Sequence, residues 1–199
     1  MCIRDRPMTH HRPDVNDNPE AALTLMDLFP AAGHRPRMEL VAACEVPPPY
    51  RDLLVHTHHM TVTLEAFHRG PVHLQVLASM QSDDWYARRI LLRRHGDNEV
   101  VQFGIARIRL SYCLPEVRSA ILAGKTPLGR VLIEQDVLRH VVPVAFLRVM
   151  PGPAVAEWFG SHRGLFVTYG RLGAIHLDEK PAVEVLEIVA PIPPAIPGA

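Results

Sequence analysis

The stretch that decides how this chain is read is PAVEVLEIVAP, residues 181–191. On the two-residue period of a strand, Val183, Val185, Glu187 and Val189 share one face. Three of the four are β-branched and apolar, as a strand facing a core requires. The fourth is a carboxylate, and a carboxylate on a dry face needs a cation or a ligand.

A second strand pattern carries the matching anomaly. In WYARRILLRR (85–94), Tyr86, Arg88, Ile90 and Leu92 share one face, and Ala87, Arg89, Leu91 and Arg93 share the other. The first set is the greasier, yet it contains Arg88. Three arrangements satisfy the two charges: they pair with each other, Arg88 snorkels to water from a strand end, or they stand at opposite ends of a polar pocket. Such a pocket suits a small anion that also carries a hydroxyl. Arginine forks onto a carboxylate and glutamate accepts the hydroxyl proton.

A third piece is AGKTPLGRVL (123–132). Its GKT is not a phosphate loop, because Ser119 stands where that pattern needs glycine and the preceding LPEVRSAIL has helical spacing. What remains is a helix start, with Thr126 as the cap, Pro127 in the first turn, and the amides of Leu128 and Gly129 among its free N–H groups.

Outward from these pieces the chain reads as hairpin-linked strands with the helices bunched rather than alternating. A short helix is expected over Pro19 to Phe29, with Leu23, Met26 and Phe29 on its apolar face, and a second over Met38 to Cys44. YRDLLVH (50–56) adds one or two turns. MTVTLEAF, from Met60, alternates like a strand, followed by VHLQVLAS, by the hairpin WYARRILLRR–HGDN–EVVQFGIARIRL, and by helices over LPEVRSAIL and LGRVLIEQD. VVPVAFLRVM, LFVTYGRLGAIHL and PAVEVLEIV complete the strands, with DEKP as the last turn. Hairpins with short links imply an α+β fold: a single antiparallel sheet of about six strands with flanking helices.

The bulk numbers are consistent with one domain. The chain has 199 residues, 48% of them hydrophobic, enough for a real core. Lys plus Arg and Asp plus Glu are 21 each, so no basic footprint points to nucleic acid or anionic lipid. No apolar run reaches the ~20 residues of a membrane span. The three cysteines, Cys2, Cys44 and Cys113, form neither a disulfide framework nor a metal knuckle. A reduced, cytoplasmic protein is the default expectation, with no fixed oligomeric state and a monomer as the simplest. The opening MCIRDR reads like a sequencing-adapter scar and is set aside. Residues 1–45 are expected to be an arm with short helices, 46–191 the domain, and 192–199 a Pro-rich tail.

Together these pieces resemble the chorismate pyruvate-lyase family. The carrying stretches are LLVHTHHMTVTLE (53–65), YARRILL (86–92), GKTPLGRVL (124–132), YGR (169–171) and KPAVEVLEIVAP (180–191), in the family's order from about Leu53 to Pro191. The resemblance implies a chorismate lyase-like fold with flap loops over a buried cavity. It implies a cofactor-free, metal-free conversion of chorismate to 4-hydroxybenzoate and pyruvate, serving a quinone precursor such as that of ubiquinone or a phenolic lipid. It further implies that the backbone at Met60 and Leu128 and the side chain of Arg88 hold the ligand, while Glu187 meets its hydroxyl end. Arg88 and Glu187 are then the catalytic pair. The spacing from KP to Glu187 is one residue longer than in the enterobacterial type, which calls for a strand bulge or a shifted register; Glu184, on the opposite face, is the fallback. Where the family often has an acidic residue, near His58, this chain reads HTHHMT.

The same residues admit rival readings. The histidines of HTHH (56–59) lack a supporting carboxylate or cysteine at metal-ligand spacing. SHRG (161–164) lacks the flanks of a nucleophile elbow. Arg163 and Arg171 are further candidates for ligand or flap contacts, although arginines are more often exposed, and Tyr169 reads as packing. A non-enzymatic module that senses an aromatic acid, like the effector domains of some bacterial transcription regulators, would use the same fold. Such a regulator carries a basic helix-turn-helix ahead of the sheet, and residues 7–50 show no such pattern.

Overall fold

The computed structural model describes residues 19–30, 35–160 and 166–192. The expectations for the adapter-like start, the arm before residue 19, SHRG with Arg163, and the tail from residue 193 lie outside them. In chain order the elements are α1 (Pro19–Asp27), β1 (Arg37–Val41), α2 (Tyr50–Leu54), α3 (Met60–His68), β2 (Val72–Gln81), β3 (Trp85–Arg94), β4 (Val100–Arg109), α4 (Pro115–Leu122), α5 (Leu128–Glu134), β5 (Arg139–Met150), α6 (Pro153–Trp158), β6 (Thr168–Leu177) and β7 (Lys180–Val189). The fold is α+β, with one seven-stranded sheet in the order β1-β5-β6-β7-β4-β3-β2. Every neighbouring pair is antiparallel. No helix among the described residues is long and apolar enough to cross a membrane.

Both faces of the sheet are covered, which is why β7 is apolar on both of its faces. On one face α1 and α6 pack through Ala22, Leu25, Met26 and Val155 against Leu91, Phe103, Leu186 and Ile188. The other face is roofed by α2 and α3 at one end, over Ile90, Leu92 and Val189. At its other end α4 and α5 cover it, over Tyr86, Ala106, Val183 and Val185. Arg88 and Glu187 lie on this second face, in the zone where the two roofs meet.

The β6–β7 hairpin closes through Asp178 and Glu179, both with positive φ (47° and 65°), the two-residue turn that matches strand twist. Its register starts at Leu177↔Lys180 and His176↔Pro181 and then jumps to Ile175↔Val183. The bulge places Ala182 as the extra residue, and Ala182 and Val183 consequently both join the same core cluster. Beyond the bulge, Glu187 falls opposite Arg171. Of the bulge and the shifted register that the KP-to-Glu187 spacing allowed, this hairpin has the bulge.

Four expectations are corrected. MTVTLEAF is helix α3, not a strand: Met60 and Leu64, one turn apart, are buried while Val62 and Phe67 are exposed. Alternating β-branched residues mimic a strand over eight positions, and packing of the 60/64 stripe overrides that local preference. Met38–Cys44 is not a helix. Arg37–Val41 forms the edge strand β1 by pairing with β5, and only a short 3-10 turn follows at Ala43–Glu45. Five residues carry too little periodicity to choose, and the free edge of β5 supplies the hydrogen bonds that settle the choice. Finally, the cap position of α5 is Pro127 rather than Thr126, with no side-chain capping bond. In α1 the buried face is Ala22, Leu25 and Met26, with Leu23 only partly buried.

Candidate functional site

The four residues singled out in the sequence, Met60, Arg88, Leu128 and Glu187, all line one cavity between the sheet and the roof. It contains about 510 Å³ of space free of atoms, mouth included. Strand register sets its floor. Arg88 pairs with Ala106 and Ile90 with Gly104 across β3–β4, and Ala106 pairs with Val185 and Gly104 with Glu187 across β4–β7. Arg88 and Glu187 are thus two strands apart and offset by two residues, which puts their Cα atoms roughly 12 Å apart. Gly104 and Ala106 lie between them, and their small side chains leave the floor open.

Arg88 is 2% exposed, and its Nε and Nη1 are buried with no hydrogen-bond partner. Burial pushes its pKa below the ordinary value, with a small opposing effect of Tyr86, but a guanidinium remains charged at any ordinary pH. A charged guanidinium with two buried nitrogens lacking an acceptor is costly to hold in a cavity wall. It does not pair with Glu187, and it is not at a strand end.

Glu187 has a different partner. Arg171 Nε donates to Glu187 Oε2 at 2.7 Å, with the arginine side chain 2% exposed and the carboxylate 14%. The rest of the Arg171 fork reaches across the cavity rim to the backbone of the HTHH segment. Nη1 donates to the carbonyls of Leu54 (3.2 Å) and His56 (3.0 Å), and Nη2 to that of His58 (3.2 Å). Arg171 therefore clasps residues 54–58 to the sheet, and it is buried rather than exposed. The fallback Glu184 faces the other side of the sheet, paired with Arg107.

Two helix starts complete the roof. The amides at the beginnings of α3 and α5, Met60 and Leu128 included, belong to first turns that have no intrahelical acceptor. The two starts approach closely because residue 129 is glycine: a Cβ there would meet His59 Cβ at 2.9 Å and Thr61 Oγ1 at 3.2 Å. His59 sits between them, lining the cavity and accepting from Arg139 Nε through Nε2 at 2.8 Å. Burial, then the cations Arg139 and Arg171, lower its pKa to about 4, so the ring is neutral at pH 7 with its proton on Nδ1. His56 is also lowered, by burial first and then by Arg171. Its Nε2 donates to Leu53 O at 2.7 Å, so its Nδ1 is the acceptor for His58 N–H. Among the described residues no cluster of His, Cys, Asp or Glu could hold a metal. Tyr169 packs on Tyr50 with ring centroids 5.0 Å apart.

Of the site residues, Gln102 alone is absent from the sequence reading, which names Arg171 as a ligand or flap candidate and His59 within HTHH. Arg171 shares its strand face with Tyr169, Ile175 and Leu177, so the parity argument used for Glu187 would have flagged it equally. Gln102, 3% exposed, lies on the cavity floor with Oε1 buried and unpartnered. His59 was weighed only as a metal ligand.

No family model matches the chain, and no curated protein matches it. Solved structures do resemble it. PhnF from Mycobacterium smegmatis aligns with a TM-score of 0.49 at 10% identity, over 68% of this chain and 65% of that one. A Staphylococcus aureus gene product aligns at 0.47 and 10% identity, over 68% and 90%. A possible transcriptional regulator, YydK from Bacillus subtilis, aligns at 0.45 and 11%, over 63% and 59%.

Proposed function

We propose that this protein receives a small cyclic carboxylic acid between Arg88 and Glu187 and acts as a chorismate pyruvate-lyase. The observation that carries the reading is the guanidinium of Arg88, buried in a cavity wall with two nitrogens unpartnered. The motif resemblance over residues 53–191 supplies the particular substrate. In this reading Arg88 takes the ring carboxylate as a fork, the first-turn amides at Met60 and Leu128 add donors, and Glu187 accepts from the ring hydroxyl. The ether C–O bond breaks, the ring loses a proton, and the departing enolpyruvate gains one to become pyruvate. Aromatisation drives the step, so the protein's task is to hold a reactive geometry and exclude water, and the elimination needs no cofactor.

A second reading keeps the ligand and drops the chemistry: a module that senses an aromatic acid. The observation favouring it is the Arg171–Glu187 pair, which commits the one carboxylate of the cavity to a structural clasp. Clasping residues 54–58 also gives a bound ligand a way to move the rim.

Incubation of purified protein with chorismate, in the presence of a chelator, separates the two. Equal release of 4-hydroxybenzoate and pyruvate, lost in Arg88→Lys because a bidentate fork becomes a point charge, supports the lyase. Saturable 4-hydroxybenzoate binding without pyruvate supports the sensor. If Arg88→Lys and Glu187→Gln both match wild type in turnover and binding, the site is misassigned.

A further inference from the structure

We propose that Gln102 is the specificity-determining residue of the cavity, recognising an uncharged hydrogen-bonding substituent on the ligand at the pole opposite its carboxylate. This rests on the reading of the cavity as a ring-acid site and adds a residue that the resemblance does not assign. Gln102 is 3% exposed, and its Oε1 is buried without a partner on the cavity floor. Its amide end lies directly over the floor: a Cβ on Gly104 would meet Gln102 Nε2 at 3.3 Å. All of its strand neighbours are apolar, with Leu92 opposite on β3 and Val189 opposite on β7. The paired residues Leu92 and Val189 offer Oε1 no donor, and an unmet buried acceptor is costly unless something enters to meet it.

Register fixes where that something lies. On β4 the floor runs Ala106, Gly104, Gln102, and Arg88 stands beside Ala106. Arg88 and Gln102 therefore mark opposite ends of the floor, with Cα atoms roughly 14 Å apart. Side chains reaching in from both ends reduce that to the span of one ring bearing a substituent at each pole. The two poles differ in chemistry. Arg88 offers only donors and takes an anion, whereas a carboxamide offers one acceptor and two donors and suits a hydroxyl that both gives and receives. Glu187 sits beside Gly104, one step along the floor from Gln102. With Glu187 held by Arg171, its second oxygen and the Gln102 amide together present a neutral hydroxyl with acceptors and a donor. They disfavour a second anion there. The ligand class is a ring acid with a para-placed hydroxyl, and para-dicarboxylates are rejected.

The test is calorimetric binding of benzoate, 4-hydroxybenzoate and terephthalate to wild type and to Gln102→Leu, an apolar residue of similar size among apolar neighbours. Wild type should prefer 4-hydroxybenzoate over benzoate by about tenfold or more. Gln102→Leu should keep benzoate affinity and lose most of that preference. Gln102→Met serves if the leucine variant does not fold, as judged by its thermal transition. An unchanged preference in the variants, or equal wild-type affinity for benzoate and 4-hydroxybenzoate, overturns the role of Gln102 while leaving the ring-acid site standing. If wild type binds none of the three acids, the ring-acid reading itself falls and the inference with it.

Discussion

Replacing Arg88 by methionine should make the free protein more stable while abolishing ligand binding. Arg88 is 2% exposed, and two of its guanidinium nitrogens have no acceptor. Each unmet buried donor costs about 1–3 kcal/mol. Methionine removes that penalty but gives up part of the packing of the arginine stem and leaves a small gap. The net expectation is a gain of about 1–3 kcal/mol, which for a chain of this size raises Tm by about 2–10 °C. The ligand reverses the ranking. At a 4-hydroxybenzoate concentration 100 times its Kd, wild type gains about 2.7 kcal/mol by mass action and Arg88→Met gains none. Urea unfolding and scanning calorimetry, each run with and without the acid, read both halves. A variant more than about 1 kcal/mol less stable than wild type without ligand would show that Arg88 is satisfied within the fold. A ligand-induced Tm rise that survives the substitution would show that the acid binds elsewhere. Either result refutes the reasoning.

Glu187→Gln should cost about 3 kcal/mol, because it leaves the buried Arg171 without its counter-charge; amide hydrogen exchange should rise first in residues 54–59, and unchanged protection there would disprove the clasp. His59 has its pKa lowered from 6.5 to about 4, so the unfolded chain takes up a proton in that interval that the folded chain refuses. Stability should therefore fall as pH drops from 6.5 to 4, by about 3 kcal/mol attributable to this ring. His59→Gln should show that much less acid loss than wild type in unfolding at pH 7 and pH 4, and identical slopes would contradict the assignment. Gly129→Ala drives a methyl to 2.9 Å from His59 Cβ, so the starts of α3 and α5 must part. A loss of about 1–3 kcal/mol is expected by urea titration, with weakened ligand binding; a neutral substitution would mean that the roof is not fixed by this contact.

What runs along a single strand is legible in the sequence at β3 and β7. The two-residue period places Arg88 with Tyr86, Ile90 and Leu92, and Glu187 with Val185 and Val189, because alternation is a property of the extended backbone and needs no partner. The hairpins, α4 and the start of α5 follow from glycine, proline and turn chemistry in the same local way. What spans elements was not legible. Whether MTVTLEAF coils or extends depends on what its Met60–Leu64 stripe packs against, and whether RMELV pairs depends on a free edge more than a hundred residues away. The partner of Glu187 was undetermined for the same reason. A two-residue turn alone sets Arg171 opposite Leu186; the bulge at Ala182 moves it opposite Glu187, and only packing of Ala182 into the core fixes that bulge. The sequence by itself determined which charges face inward. The tertiary structure decided which of them is neutralised and which is left open, because strand register converts one face into neighbours and no local pattern encodes it. Glu187 is held by Arg171, and Arg88 has no counter-charge at the cavity wall.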